Sequence, residues 1–382
     1  MGFLNLGGGA APVGLDIGSS TFRIAQLKPS SGKPTLIKYA SLKAPLGLIN
    51  EGEVTDVTGV SQALSNLWRE HRVGEKKVVV GLANQKVIVR VIEMPYMSEA
   101  EFRSALQFQA NDYIPIPIEE AVVDFQIISE HENDQGERMM DVLIVAVRKD
   151  MVENVVAAVE GAGLKPVVID VSSLAFARSV MSNGFKAFLE DTENPSATAL
   201  INVSSNLTDI VVVEGDAPRF TRISSIGGDT FTEALIDQLG ISYEDAEDLK
   251  IGIGLPTPEW ATNEEDVKIP DITPDMQQYV DIVHNILEQE MIKFIAEVRR
   301  SLDYYLVQAT RVKSIDKIIV TGGGAKLRNF MHHLKDNLQI EAVMGSPLHS
   351  VQLSSKLKKM NIEEEELSMA ICLGLAMRGI DK

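Results

Sequence analysis

The chain has one cysteine in 382 residues, Cys372, so no intrachain disulfide can form. It lies among Ala370, Ile371 and Leu373 in an apolar helical pattern and reads as a small core residue in a reducing compartment. Basic residues are scarce as well: 36 against 54 acidic ones leave a net charge of −18. A surface so acidic repels nucleic acid and anionic lipid headgroups, which argues against direct binding to either. No apolar run reaches the length of a membrane span, and the Gly- and Ala-rich stretch 1–12 lacks the basic start and apolar core of a signal peptide. Met1-Gly2 opens like a myristoylation site, but Leu6 stands where Ser or Thr is required. The six histidines are not spaced for a metal. His332 and His333, adjacent on a helix, point about 100° apart. No Gly-x-Ser-x-Gly elbow and no Cys/His pair serves covalent catalysis, and Gly252-Ile253-Gly254 has Thr257 in place of the last glycine of a dinucleotide fingerprint.

Two segments far apart in the chain do suit an anion. In Gly14-Leu15-Asp16-Ile17-Gly18-Ser19-Ser20-Thr21, apolar alternation at Val13, Leu15 and Ile17 breaks at a Gly/Ser turn and resumes at Phe22, Ile24 and Leu27, which predicts a hairpin. Gly18, Ser19 and Ser20 offer N–H and hydroxyl donors to phosphate, and Asp16 suits a hydrated Mg²⁺. Near the other end, Ile318-Ile319-Val320 is a short buried strand. Gly322-Gly323-Gly324 then leads into the helical pattern Leu327, Phe330, Met331, Leu334, and a helix entered that way presents unpaired N–H groups. Between these, Glu247 and Lys250 share one helix face, either to grip a ribose and adenine or as a plain i,i+3 salt pair. Together the segments suggest one nucleotide held from two sides.

The length suits two lobes. A helix through Val60, Leu64, Leu67 and Trp68 precedes strands at 78–80 and 86–93. Ser98 with Glu101 forms a capping box before Phe102, Leu106 and Phe108, and Pro115 and Pro117 end that helix. Strands at 122–128 and 142–147, a turn at 133–136 and a helix at 152–159 complete a small α/β insert. The segments 199–205 and 210–213 repeat the strand–turn–strand pattern, as a duplicated fold would. Residues 256–275 read as a solvated loop and 282–306 as a long amphipathic helix. Phe108, Tyr113, Ile114, Ile116 and Phe125 give the insert more apolar, Pro-stiffened surface than a solvated module needs. They are expected either to border a groove facing the first lobe, where an extended peptide adds to a strand edge, or to form the insert's own core.

The order of these segments resembles the actin-like ATPase superfamily, and within it the PilM family of cytoplasmic type IV pilus assembly proteins. The resemblance spans nearly the whole chain. It rests on residues 13–27, on Met94-Pro95 through Phe125, on Ala162-Gly163-Leu164, on Ile226-Gly227-Gly228-Asp229-Thr230, on Ala246-Glu247 with Lys250, and on Gly374-Leu375-Ala376-Met377-Arg378-Gly379. It implies an α/β, two-lobed actin-like (ASKHA) fold with a duplicated core and a small α/β insert subdomain in the first lobe. A flexible tail would cover 1–12, the first-lobe core 13–93 and 165–196, and the insert 94–164. The second-lobe core would cover 197–228 and 316–382, and a nucleotide-side subdomain 229–315.

The resemblance further implies ATP or ADP with Mg²⁺. The nucleotide would be bound by Asp16, Gly18, Ser19, Ser20, Asn202, Ser204, Gly227, Gly228, Glu247, Lys250, Gly322, Gly323 and Gly324, and by Arg23, which stands where actin has a phosphate-reaching lysine. It implies docking of the N-terminal cytoplasmic peptide of a PilN-like inner-membrane protein, indirect links to PilO and the pilus motor, self-association, and peripheral attachment to the inner membrane through that partner. The alternatives are a small-molecule kinase or ATPase of the same fold, or an FtsA-like cytoskeletal protein. FtsA-like proteins end in an amphipathic membrane tail, whereas only Asp381-Lys382 follow the apolar helix 371–380 here. One departure bears on chemistry: the superfamily's second phosphate turn reads Asp-x-Gly, and this chain has Asn202-Val203-Ser204. An amide carries no charge to hold a metal or polarise a nucleophile. Val171 aligns where related hydrolases carry an acid, with Asp170 beside it. Nucleotide binding with weak or absent hydrolysis is therefore expected.

Overall fold

Alternating apolar residues at 13–28 bury one face of a strand pair. β1 (Val13–Ile17) runs antiparallel to β2 (Thr21–Lys28), with Asp16 opposite Arg23, and β3 (Thr35–Lys43) extends the meander. The ribbon β4 (Ile49–Asn50) and β5 (Glu53–Val54) leads to α1 (Val57–Glu70). Asp56 caps that helix by accepting the Gly59 N–H at 2.9 Å, and Val60, Leu64, Leu67 and Trp68 form its buried stripe. β6 (Lys77–Leu82) then pairs parallel with β1. The computed structural model describes residues 10–133, 135–181, 197–215, 217–258, 274–309 and 312–380. Residues 1–9 of the expected tail and 259–273 of the expected loop lie outside it.

The insert is a three-stranded sheet under one helix. β7 (Ile88–Pro95), α2 (Glu99–Tyr113), β8 (Ala121–Glu132) and β9 (Arg138–Arg148) form it, with strand order β7-β9-β8. Glu101 accepts the Ser98 N–H at 2.8 Å, which closes the capping box at the start of α2. The insert sheet begins at Ile88 rather than at residue 94, because β7 pairs with β9. Its helix α3 (Lys149–Gly161) packs Met151, Val155, Ala158 and Val159 into the first-lobe core beside Leu64 and Leu67, so the return to that lobe precedes residue 165. β10 (Lys165–Val171), parallel to β6, and α4 (Ser172–Val180) follow.

The second lobe repeats the plan. β11 (Ala197–Val203), β12 (Thr208–Glu214) and β13 (Ala217–Ser224) form a meander, and β11 pairs parallel with β14 (Ile315–Thr321) just as β1 pairs with β6. Between β13 and β14 lie α5 (Gly228–Leu239), α6 (Tyr243–Ile253), α7 (Pro274–Gln277) and the long α8 (Val280–Gln308). α9 (Phe330–Leu338) and β15 (Glu341–Met344) complete a sheet of order β13-β12-β11-β14-β15.

The end of the chain does not stay in this lobe. β16 (Gln352–Leu353) pairs with β3, and α10 (Ala370–Arg378), buried from Ala370 through Met377, packs with Ala25, Leu27 and Leu36 of the first lobe and with Val79 and Ala175 beside them. The expected second-lobe span 316–382 is corrected accordingly: a helix apolar on every face needs covering on every face, and the gap between the two sheets supplies that. Cys372 is fully buried there. Among the described residues no helix is long and apolar enough to cross a membrane.

Candidate functional site

The two hairpin turns meet across a cleft of about 1370 Å³ between the lobes, lined by Asp16, Gly18, Ser19, Ser20 and Arg23 from one side and by Asn202, Ser204, Gly228, Glu247, Lys250 and Gly322 to Gly324 from the other. Of the residues read as nucleotide-binding, Gly227 alone is set back from that lining: it packs against the second turn, and a Cβ there would lie 2.4 Å from the Ser205 carbonyl oxygen. The turns touch directly, since Ser19 Oγ donates to Asn206 Oδ1 at 2.7 Å and Ser20 hydrogen-bonds Ser205.

Asp16, next to last in β1, is 9% exposed, and burial pushes its carboxyl up to about 6 against the opposing pull of Arg23. Asn202, its counterpart on β11, is held on three sides. It donates to Asp209 Oδ2 at 3.1 Å and to Ser204 Oγ at 3.1 Å, and it accepts from Thr321 Oγ1 at 3.1 Å. The carboxylate missing from β11 stands across the ladder, for Asp209 on β12 pairs with Asn202 in register as Arg23 pairs with Asp16. Asp209 lines the cleft at 1% exposure, and its Oδ1 has no hydrogen-bond partner in the protein. Burial raises its pKa to about 7, with the Asn202 hydrogen bond lowering it and the charge of Asp16 raising it further. The reading from sequence missed this residue. The signal was the spacing, since Asn202 to Asp209 repeats the seven-residue step from Asp16 to Arg23.

The glycine run works differently from the helix entry expected of it. Gly322 takes φ +92°, and a Cβ on it would lie 2.2 Å from the Val203 carbonyl oxygen, so this loop lies directly on the end of β11. It leads into a single 3₁₀ turn at Gly324–Lys326, and Asn329 at φ +62° separates that turn from α9. The run thus gives a backbone platform on the cleft rather than the N-terminus of an α-helix. Lys250 reaches Gly228 O at 3.1 Å, Thr232 Oγ1 at 2.7 Å and Glu247 Oε1, so its three donors are occupied within the protein. It positions Glu247, which keeps an exposed edge on the cleft.

Asp170 pairs with Arg178 at 2.9 Å and does not line the cleft, nor does Val171. The five residues expected at a partner groove divide. Ile114 and Phe125, at 3% and 9% exposure, belong to the insert's own core, where Phe125 meets Phe102 edge-on. The physical reason is the packing of α2 over that face of the sheet. Tyr113 and Ile116 are half-buried at the rim of the same cluster, and the side chain of Phe108 lies outside the described residues. The opposite face of the insert sheet turns toward the first lobe. There Leu143, Val171 and Leu174 are buried, while Val87, Val89, Val91 and Ile128 remain half-exposed.

A duplicated sheet-and-hairpin core closing on one cleft defines an actin-like, two-lobed protein. The comparisons agree: a model of the family described as type IV pilus assembly protein PilM matches residues 14–270 and 276–380. The chain belongs to this family, which makes it an actin-like pilus assembly scaffold. It is similar to the solved chain titled "PilM-PilN type IV pilus biogenesis complex", with 26% identity, a TM-score of 0.79, and coverage of 97% of this chain and 99% of that one. The ethanolamine utilization protein EutJ from Carboxydothermus hydrogenoformans shares the fold at 15% identity and a TM-score of 0.53 over 97% of this chain and 90% of its own. Cell division protein FtsA of Enterococcus faecalis is 24% identical over 360 residues, covering 88% of this chain and 79% of FtsA.

Proposed function

We propose that this chain binds ATP with Mg²⁺ in the interlobe cleft and, in that state, docks the N-terminal cytoplasmic peptide of a PilN-like inner-membrane protein, through which it attaches to the membrane. The observation that carries the nucleotide half is the convergence of two Gly/Ser hairpin turns, a backbone glycine platform and two buried carboxylates on one cleft. Asp16 and the unpartnered Oδ1 of Asp209 suit a hydrated divalent cation, which would offset both charges and those of the phosphates. Asn202, with its amide engaged on three sides, is not free to activate a water, which supports slow turnover and a scaffold role rather than a kinase. Calorimetric titration with ATP and Mg²⁺ tests this half. Asp16→Ala is expected to weaken binding by roughly 1.5–3 kcal/mol, the value of charge-assisted contacts. Unchanged affinity in the folded variant would remove the first hairpin from the site.

The peptide half rests on the similarity to a PilM–PilN complex and on the half-exposed apolar strip Val87, Val89, Val91 and Ile128 between insert and first lobe. An extended peptide can seat alternate apolar side chains on such a strip. A synthetic peptide from the cytoplasmic tail of a PilN-like protein is expected to bind the full chain. Ile128→Asp should weaken that binding at least about tenfold, the loss typical of an apolar anchor. Equal binding by the variant places the docking face elsewhere.

A further inference from the structure

An ionic cluster centred on the buried Asp141 lies outside the cleft and ties the insert to the second lobe. Asp141 on β9, at 5% exposure, accepts from Ser129 Oγ of β8 at 2.6 Å and from Arg219 Nη1 of β13. Arg219 Nε lies 3.2 Å from Glu214 Oε2 at the end of β12, and Glu214 Oε1 accepts from the Tyr305 hydroxyl of α8 at 2.7 Å. Glu93 and His131 crowd the same carboxylate, with Arg219 supplying the neutralising charge. Burial works to raise the Asp141 pKa, but the bonds from Ser129 and Arg219 and the charge of His131 hold it below the usual value.

The strand β12 runs from the cleft to this cluster. It starts at Thr208 and Asp209 beside the second hairpin turn and ends at Glu214, a span of about 20 Å at strand rise. Hydrogen-bonded to β11 on one side and β13 on the other, it moves as one piece with its sheet. At the cleft end, the Ser19 hydroxyl is spent as a donor on Asn206, and Ser20 shares a hydrogen bond with Ser205. A phosphate group that takes the Ser19 hydroxyl as a donor must break its bond to Asn206, parting the two turns and so shifting the second-lobe sheet against the first lobe. At the far end, the shift meets a buried charge pair that is either intact or broken, because half-separated buried charges are costly.

We propose that the Arg219–Asp141 bridge makes the insert follow the second lobe, so that a nucleoside triphosphate in the cleft re-aims the insert and changes the affinity of its peptide-docking face. The mechanical part stands on the geometry alone, and the peptide part rests on the function proposed above.

Because Cys372 is fully buried, spin labels can be placed at Gln126→Cys on the insert and Asp336→Cys on the second lobe, both exposed, and their separation measured in the full chain by pulsed dipolar spectroscopy. In the parent, a single narrow distance is expected to shift when ATP and Mg²⁺ are added. In Arg219→Ala it should be broad without nucleotide and insensitive to ATP, although the variant binds ATP as the parent does. Asp141→Asn, which keeps shape and removes the charge, should behave alike, and Arg219→Lys should retain part of the shift. In a parallel titration, peptide affinity should differ at least about fivefold between the ATP-bound and nucleotide-free parent, and that ratio should fall to about one in Arg219→Ala. An undiminished ATP-induced shift in both charge-removing variants overturns the proposal, as does the absence of a shift in the parent. A parent that shows the shift but binds no peptide sinks the docking function and leaves the coupling intact.

Discussion

Gly374→Ala is expected to destabilise the folded chain by about 3 kcal/mol or more, at the upper end for overpacking. A Cβ at this position would lie 1.7 Å from the Ala175 carbonyl oxygen and 2.4 Å from its carbon, both backbone atoms of α4. No rotamer change relieves such a clash, so the helices must separate. Gly14 plays the matching part on the opposite side of α10, where a Cβ would lie 2.2 Å from Cys372 O. The two glycines let α10 rest on β1 and α4 with backbone against backbone. Gly32→Ala is the control, since nothing lies within 4 Å of its position, and it should change stability by less than about 0.5 kcal/mol. Denaturant midpoints of the two variants give the comparison. A Gly374→Ala protein as stable as the control would show that α10 is not packed backbone against backbone on α4.

Free of metal and nucleotide, the protein should lose stability as pH rises from about 4 to about 7. Burial raises the carboxyls of Asp16 and Asp209 from 3.8 to about 6 and about 7. Across that window the folded chain keeps protons that the unfolded chain has released, so unfolding becomes easier with each step upward. The contribution is complete below 3.8, is gone above the folded value of about 7, and is on the order of a few kcal/mol. Asp229, raised by burial, slopes the same way. Asp141, which is lowered, has the opposite sign and acts at the acid end of the range. Asp209→Asn isolates the cleft contribution: it should raise the melting temperature of the apoprotein at pH 8, flatten its decline with pH, and reduce the gain in stability on adding Mg²⁺ and ATP. A melting profile that keeps the parent's slope would show that Asp209 is charged and solvated, and would remove it from the site.

The seven-residue step also changes what a repair of Asn202 should do. An aspartate at 202 would stand about 3.1 Å from the Asp209 carboxylate, by the present amide contact. Two carboxylates so close cannot both ionise, and one would hold a proton. The exchange of both residues, which returns a single acid to β11, is the better mimic of the superfamily arrangement.

Local pattern carried much of this far. Alternation around Asp16 and Gly18 to Ser20 dictates a hairpin whatever surrounds it, and the Ser98–Glu101 box with Pro115 and Pro117 bounds α2 by backbone chemistry alone. The long stripe of α8 and the repeat of strand, turn and strand at 199–213 are of the same kind, because periodicity reports which face of an element is apolar. Periodicity does not report which partner covers that face. The expected span 316–382 put α10 with the second lobe, whereas it returns to β1 and β2, and the pattern left open whether Ile114 and Phe125 would border a groove or fill the insert. Nor could it show that Lys250 spends its donors inside the protein, that the glycine run makes a platform instead of a helix start, or that Arg219 would reach Asp141 across 78 residues of chain. Asp209 marks the division most clearly: the sequence pattern starts the strand at Ile210 and leaves Asp209 in the turn before it, whereas β12 begins at Thr208. That its carboxylate would be buried facing Asp16, 193 positions away, follows only from two lobes closing on one cleft and shutting water out.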